Sequence, residues 1–523
     1  MRHSRSFYLI LITLVLAAYY LICGIYLNKL GYSNAESLFY IEKAKIVFGG
    51  MGDRLKVMGL TAPIFPFYAS AIFPADGISP VIASAIGTAI LFYIMASMLA
   101  KRFSDDFYLL ILAVLFLLHP GILYVACSGK GIYLSLIFFF LFFLNLLKFY
   151  RSNTTFHISI ASICLVILVF CDYKFIWLTL FFIPLILSIA IQSLNLSEQE
   201  SIFRLFLSFN SPSLRRKLFS KTFALYIIIF ILPIASVIGY KLLNLTHAND
   251  LDYFLESPYA TWNVLSDKLN FDQIISHRAH NTLPQEISLL ISVKALLFCP
   301  LMLLAIYLYR RSTYQILTLL TPFAFIEFLH IKYDNTFLPY GYYMIFLVLA
   351  LLCIIYRAHD VSRQRTFKII LCILIPVQIF TGYLYLSRSM IDEERDFITI
   401  LLNRRPNNIQ TDNRDVAYYI NGLPNTSKIL IDDAIAYPVV AYVNHVRQLT
   451  MPYQDEYSSA IESPEKYDDY ILVATAKNIA TGYTQLNDRY INYIRHINSA
   501  LYLRVVYESN DWVLYQIASK GAY

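Results

Sequence analysis

The residues that can do chemistry in this sequence gather at a few places. Glu36 stands in Ser33-Asn34-Ala35-Glu36, at the start of a predicted helix over 34–48 that Gly49-Gly50 stops. Tyr40 and Lys43 share its face at spacings of four and seven. A carboxylate there suits a general base acting on a hydroxyl group. The same spacing makes Glu36 the third residue of a capping box, bonding back to the Ser33 amide, and spacing alone favours that second reading. Asp53, later in the same loop, is a spare carboxylate. Lys130, Lys174, Lys241, Lys294 and Lys332 sit near the ends of apolar runs, and Arg278 lies in a loop. Such cations suit a phosphate at the membrane surface, or simply snorkel to water. Lys174 also lies close enough to Asp172 for the pair to neutralise itself. Glu327 and His330, followed by Lys332 and Asp334, form either a proton relay or a structural pair. Asp432-Asp433 follow a short apolar run, where they either face a ligand or cap the helix starting near Ala434.

The elements that must position these groups are mostly membrane spans. Hydrophobic residues make up 58% of the 523, and charged residues only 15%, against about 25% in a soluble protein. The apolar residues come in long Leu-, Ile- and Phe-rich runs without the alternation of an outer-membrane barrel. The runs predict an all-α polytopic bundle of about eleven helices, each near the roughly twenty residues a bilayer needs. They lie over 7–27, 80–100, 107–125, 131–148, 157–172, 174–192, 222–243, 286–308, 313–330, 337–356 and 367–386, with dips at Pro120-Gly121 and Asp172. The first run is too long and too bulky for a cleaved signal peptide and reads as a retained helix.

The net charge of +7 is spread as topology signals and not as a nucleic-acid footprint. Arg2 and Arg5, Lys101 and Arg102, Lys148 and Arg151, the 193–221 loop, Arg310 and Arg311, and the Arg357–Lys368 stretch all fall on one side. That side is expected to be the cytoplasm. Loops 28–75 and 245–285 and the C-terminal residues then face out. The 28–60 loop is an exception on that side, with Lys29, Lys43, Lys45, Arg54 and Lys56. A functional need for cations would explain it. Between these elements, Pro63 and Pro66 in the apolar stretch 59–68 argue against a regular helix.

Residues 1–386 are thus expected to form the membrane module and 387–523 a small extracytoplasmic α/β domain. Short apolar runs at 429–431, 470–474, 503–507 and 512–517 alternate with helical patterns, and the last two read as a hairpin. All seven cysteines lie in or beside apolar segments, so neither a disulfide framework nor a metal site is readable. There is no GxxxxGK[ST], HExxH, GxSxG or GxGxxG, which argues against an ATP-driven transporter subunit and the common soluble hydrolases.

Several stretches together resemble the GT-C superfamily of glycosyltransferases, in particular its bacterial members related to protein mannosyltransferases and aminoarabinose transferases. Asn34-Ala-Glu36 through Gly49-Gly50 is similar to the family's acidic loop helix, and Ala62-Pro63-Ile-Phe-Pro66 to the Pro-containing start of its next span. His119-Pro120 to Ser128, Phe337-Leu-Pro339 to Tyr343, Ile431 to Pro438 and Tyr467 to Val473 resemble further family segments. The resemblance implies a sugar transferred from a polyprenyl-phosphate donor to a glycan, lipid or protein acceptor, with inversion at the anomeric carbon. Glu36 takes the base role, ahead of capping. Lys130, Lys174 and Lys332 are the phosphate candidates, and Tyr40, Lys43, Asp53, Glu327 and His330 are candidates for substrate contact. No cofactor is required, since the lipid-linked sugar is a substrate, and a divalent metal has no support. Where the family usually has Asp, this chain has Ala35-Glu36, and Asn335-Thr336 replaces a common Arg-Tyr. Two other function classes stay open: a transporter or lipid flippase, motivated by Glu327-His330 and Asp172-Lys174, and a catalytically inactive membrane scaffold.

Overall fold

A computed structural model describes residues 2–50, 54–73, 77–103, 105–152, 154–193, 212–260, 291–310, 313–333, 339–389, 391–403, 411–478, 484–490 and 502–518. Asp53, Arg278, Asp334 and Asn335-Thr336 lie outside them. The chain opens with α1 (Arg2–Lys29), the loop helix α2 (Ala35–Gly49) and two short helices, α3 (Arg54–Gly59) and α4 (Ile64–Ala71). Then follow α5 (Ser79–Arg102), α6 (Phe107–Leu118), α7 (Pro120–Cys127), α8 (Ile132–Ser152) and α9 (Thr155–Cys171). A tight 3₁₀ turn, Tyr173–Trp177, leads into α10 (Leu178–Ser193). The bundle continues through α11 (Pro212–Ala248), α12 (Tyr253–Glu256), α13 (Ile291–Phe298), α14 (Pro300–Tyr309), α15 (Thr313–Tyr333), α16 (Tyr340–Arg357) and α17 (Gln364–Ser387).

Apolar runs of this length become helices because backbone in hydrocarbon must satisfy its own polar groups. Among the described residues seven helices are long and apolar enough to cross a membrane: α1, α5, α8, α11, α15, α16 and α17. The α6–α7 pair adds an eighth if the two count as one span. The shorter apolar helices 155–171, 173–187 and 300–309 stand where further spans are expected. The protein is therefore a polytopic integral membrane protein. Its central helix is α16, buried on every side over Tyr340–Tyr356. The break between α6 and α7 bends the chain by 63°. Pro120 has no N–H to give there, and the His119 Nδ1 accepts from the Gly121 amide at 3.2 Å. At the other dip, Asp172 ends α9 and caps the 3₁₀ turn by accepting from the Lys174 amide at 3.0 Å.

The Pro63–Pro66 stretch differs from expectation, since it forms the regular helix α4. Pro63 is the N-cap and Pro66 falls in the first turn, where a missing N–H costs no intrahelical bond.

After α17 come α18 (Asp392–Asn403), α19 (Thr411–Asn421), β1 (Ile429–Leu430), α20 (Asp433–Val440), β2 (Leu449–Thr450), α21 (Tyr457–Glu462), β3 (Tyr470–Ala474), α22 (Gln485–Tyr490), β4 (Tyr502–Glu508) and β5 (Trp512–Ala518). The strands form one five-stranded sheet of order β2-β1-β3-β5-β4. β1 pairs in parallel with β2 and β3, while β3–β5 and β4–β5 are antiparallel. The hairpin is as expected, with a register shift between Val505 and Tyr507. The two-residue edge strand β2 is too short to show as an apolar run.

One apolar cluster covers a face of this sheet and also takes in α2. Leu38, Phe39, Ile41 and Ile46 of α2 pack with Ile429, Ile435, Val439 and Leu514. Phe39 and Tyr437 meet edge to face, with ring centroids 5.7 Å apart. The loop helix is held between the bundle and the sheet, and most of its residues are buried. Two of the five cations of the 28–60 loop are engaged in that docking. Lys45 donates to the Ala441 and Val443 carbonyls at 2.8 and 2.9 Å, and Lys43 pairs with Asp433.

Candidate functional site

α2 begins with a cap, but not the expected one. Asn34, not Ser33, is the N-cap, and its side chain accepts from the Ser37 amide at 2.9 Å. The Ala35 amide is satisfied from far along the chain, by Glu393 of α18 at 2.7 Å. Glu36 is thereby released from capping. Its Oε1 accepts from the Tyr40 hydroxyl at 2.8 Å and from the Gly131 amide at 2.9 Å. Among the described residues no hydrogen bond reaches its Oε2.

The Gly131 amide reaches Glu36 because the α7–α8 junction, Ser128-Gly129-Lys130-Gly131, turns back on α2. Gly129 has φ of 78°, a conformation natural to glycine. A Cβ at Gly131 would stand 2.5 Å from the Pro66 Cβ and 3.2 Å from the Glu36 Oε1. The junction is also pinned where the Asn34 Nδ2 donates to the Ser128 carbonyl at 2.5 Å. Glu36 is thus half-buried where α2, α4 and the α7–α8 junction meet.

Electrostatics at this point are set by few groups. Burial pushes the Glu36 carboxyl above its ordinary range; Lys130 and the Gly131 and Tyr40 hydrogen bonds pull it down, and Asp172 pushes it up. Lys130 donates to the Glu393 Oε2 at 2.9 Å and lies 5.7 Å from the centre of the Tyr124 ring. Burial works against its charge, but Glu393 and Glu36 outweigh it and hold Lys130 firmly cationic. Beside Glu393, Glu394 is fully buried and accepts from the Tyr340 amide and the Ser389 hydroxyl, each at 2.6 Å. Burial raises its carboxyl to about 7. Asp172 accepts from the Tyr342 hydroxyl of α16.

The expected site residues are therefore only partly brought together. Glu36, Tyr40 and Lys130 form one constellation, with Asp172 nearby. Lys174, within the 3₁₀ turn that follows Asp172, lies over the Tyr342 ring at 5.8 Å, and Lys332 lies over the ring of Trp177, the last residue of that turn, at 4.1 Å. Glu327 is half-buried and His330 buried on α15. Lys43 goes elsewhere: its ammonium, 2.5 Å from the Asp433 Oδ2, is sealed between α2 and α20. Lys241 pairs with Asp252 at 2.5 Å. Asp432 caps α20 through the Ala434 amide at 3.1 Å and accepts from the Tyr457 hydroxyl at 2.8 Å. The sequence reading passed over Glu393 and Glu394. The signal available was the acidic run Asp392-Glu393-Glu394 at the foot of the last apolar segment.

No protein-family model matches the sequence, and no curated protein matches it. Solved structures do. ArnT from Cupriavidus metallidurans, solved with undecaprenyl phosphate bound, aligns over 97% of this chain and 97% of its own, at TM-score 0.51 and 11% identity. This is the GT-C fold. Within GT-C structures, the archaeal oligosaccharyltransferase AglB from Archaeoglobus fulgidus, solved with an inhibitory peptide and dolichol phosphate, aligns over 88% of this chain and 69% of its own, at 13% identity and TM-score 0.39. The apo form of the Archaeoglobus fulgidus oligosaccharyltransferase gives 14% identity over the same shares, at TM-score 0.41. The GT-C fold of the chain rests on the ArnT alignment, which spans both the helical bundle and the C-terminal sheet.

Proposed function

We propose that the protein is an integral membrane glycosyltransferase that moves a sugar from a polyprenyl-phosphate donor to a hydroxyl of a cell-envelope acceptor. The observation that carries this reading is the placement of Glu36. A carboxylate freed from helix capping is held by Gly131 and Tyr40, beside a firmly charged lysine, within a GT-C fold. The lipid phosphate bound to ArnT supports the donor class.

In this reaction Glu36 takes the proton from the acceptor hydroxyl. The acceptor oxygen forms its bond to the anomeric carbon as the bond from that carbon to the phosphate oxygen breaks, so the configuration inverts. The polyprenyl phosphate leaves with the bonding pair, and cations at the site stabilise its charge. Lys130 lies nearest to Glu36, Lys174 stands in the adjacent turn, and Lys332 lies against the Trp177 ring of that turn. The base must be ionised to act. The carboxyl is raised by burial, so the rate falls on the acid side as pH drops through the Glu36 pKa. The distribution of Lys and Arg supports a site on the extracytoplasmic face, with the N-terminus inside and residues 387–523 outside.

Replacing Glu36 with Gln tests the assignment. Sugar transfer is expected to be lost, read as the disappearance of one glycan product when lipid-linked glycans and their acceptors are compared between cells carrying wild type and variant. Full activity in the variant would remove Glu36 from the base role.

A further inference from the structure

Glu393 stands more than three hundred and fifty residues from Glu36 in the chain, yet its two oxygens grip both structures that hold Glu36 in place. Oε1 accepts from the Ala35 amide at 2.7 Å, the peptide unit just before Glu36. Oε2 accepts from the Lys130 Nζ at 2.9 Å, the residue just before the Gly131 amide that binds Glu36. Two segments with no covalent link nearby are therefore joined three times, through Glu393, through Glu36 and through the Asn34–Ser128 bond. We propose that Glu393 is a positioning residue of the transfer site, one carboxylate that braces the start of α2 against Lys130 and balances the charge beside Glu36. The role in transfer rests on the glycosyltransferase reading above; the brace itself does not.

A simple helix cap would use only half of this geometry. An acceptor oxygen suffices to satisfy the Ala35 amide, and a carboxamide supplies one. Lys130 makes the further demand, because its partner must be an anion to balance it. The pair is also partly sheltered, with the lysine and glutamate side chains 17% and 20% exposed, so it is less screened than a surface pair. α18 carries Glu394 next to Glu393, and Glu394 takes the Tyr340 amide at the start of the central helix. One turn of α18 thus ties the α2 start, the α7–α8 junction and α16 together.

The charge and the cap are separated by Glu393→Gln. This variant keeps an oxygen for the Ala35 amide and loses the anion beside Lys130. Lys130, left with Glu36 as its remaining counter-charge there, then acts more strongly on it, so the acid limb of the transfer rate is expected to move to lower pH, with kcat falling about tenfold or more from the loosened geometry. Undecaprenyl phosphate is expected to bind several-fold more tightly, because Lys130 no longer has a carboxylate competing for it. Glu393→Asp keeps the charge and is expected to keep the wild-type acid limb. A wild-type limb and wild-type lipid affinity in Glu393→Gln would overturn the proposal.

A substrate-free measurement separates the two ideas. Hydrogen exchange in the detergent-solubilised full chain is expected to rise together in peptides covering 33–40 and 128–133 when Glu393 is changed to Ala. Unchanged exchange in both would overturn the brace whatever the reaction. Raised exchange in a chain whose wild type transfers no sugar would sink the transferase reading and leave the brace standing.

Discussion

The start and the middle of α2 carry similar charges in different surroundings. At its start, Lys130 and Glu393 remain 17% and 20% exposed, next to a half-buried Glu36. Less than two turns on, Lys43 and Asp433 are 2% and 1% exposed, with Glu42 sealed beside them. The sealed cluster lies inside the apolar contact between α2 and the sheet, where no substrate can reach. Its carboxylates are under strain: burial, with Asp433 adjacent, raises the Asp432 carboxyl to about 7, and burial drives Glu42 well above the carboxylate range. The open cluster retains solvent access and a carboxylate oxygen without a partner among the described residues. The middle of the helix docks on the sheet, and its start holds the carboxylate proposed as the base.

The comparison is broken most forcefully at the start of the helix, where the proposed base stands. Glu36→Gln is expected to lower transfer by about a hundredfold to ten thousandfold, the usual contribution of a positioned base, while the thermal midpoint of the detergent-solubilised protein stays near wild type. At the docking middle the effects are reversed. Lys43→Ala leaves Asp433 and Glu42 buried without their cation, which costs about 3–5 kcal/mol. It is expected to appear as a lower thermal midpoint and early proteolysis around residue 50. A wild-type midpoint would show that the sealed cluster does not hold the helix.

A smaller change sharpens the start of the helix. Gly131→Ala puts a Cβ 2.5 Å from that of Pro66 and 3.2 Å from the Glu36 Oε1. Displacing the carboxylate is expected to cost about tenfold in kcat; an unaffected rate would mean that the Gly131 contact does not set the position of Glu36.

The gentlest test is pH. The folded Asp432 carboxyl, near 7, titrates above its unfolded value of about 4. Between those values the folded state binds more protons, so this group's stabilisation is complete below pH ~4 and is lost as pH rises through about 7. Glu394, also raised to about 7, adds a slope of the same sign. The thermal midpoint is therefore expected to fall between pH 5 and 8, and Asp432→Asn to flatten part of that fall. An identical slope in the variant would remove Asp432 from the account.

Much of this architecture was legible in the sequence because long apolar runs have few alternatives. The long apolar helices, seven or eight of the eleven expected spans among the described residues, together with the sheet hairpin and the residue range of α2, follow from composition and spacing. The capping of α2 was not legible, because the acceptor for its Ala35 amide comes from Glu393, a distant residue. Nor was the divergence of Glu36 and Lys43. Seven residues put them on one helical face but about 10 Å apart along the axis, and at that distance the same face meets the bundle at one end and the sheet at the other. Pro66 was read as a helix breaker because its place in a first turn depends on where the helix begins. The pairing of Asp172 with Tyr342 joins two separate apolar segments and leaves no local trace.

The burial of α2 in the sheet's apolar cluster bears on modularity. A chimera that exchanges only the residues after α17 between two such proteins separates Ile429, Ile435 and Leu514 from the Leu38, Phe39 and Ile41 side chains that complete their core. The unit that can be transplanted is discontinuous, consisting of 35–49 together with the C-terminal sheet. Because the first of these pieces carries Glu36, a graft that restores the domain's core also brings in the donor protein's counterpart of the proposed base.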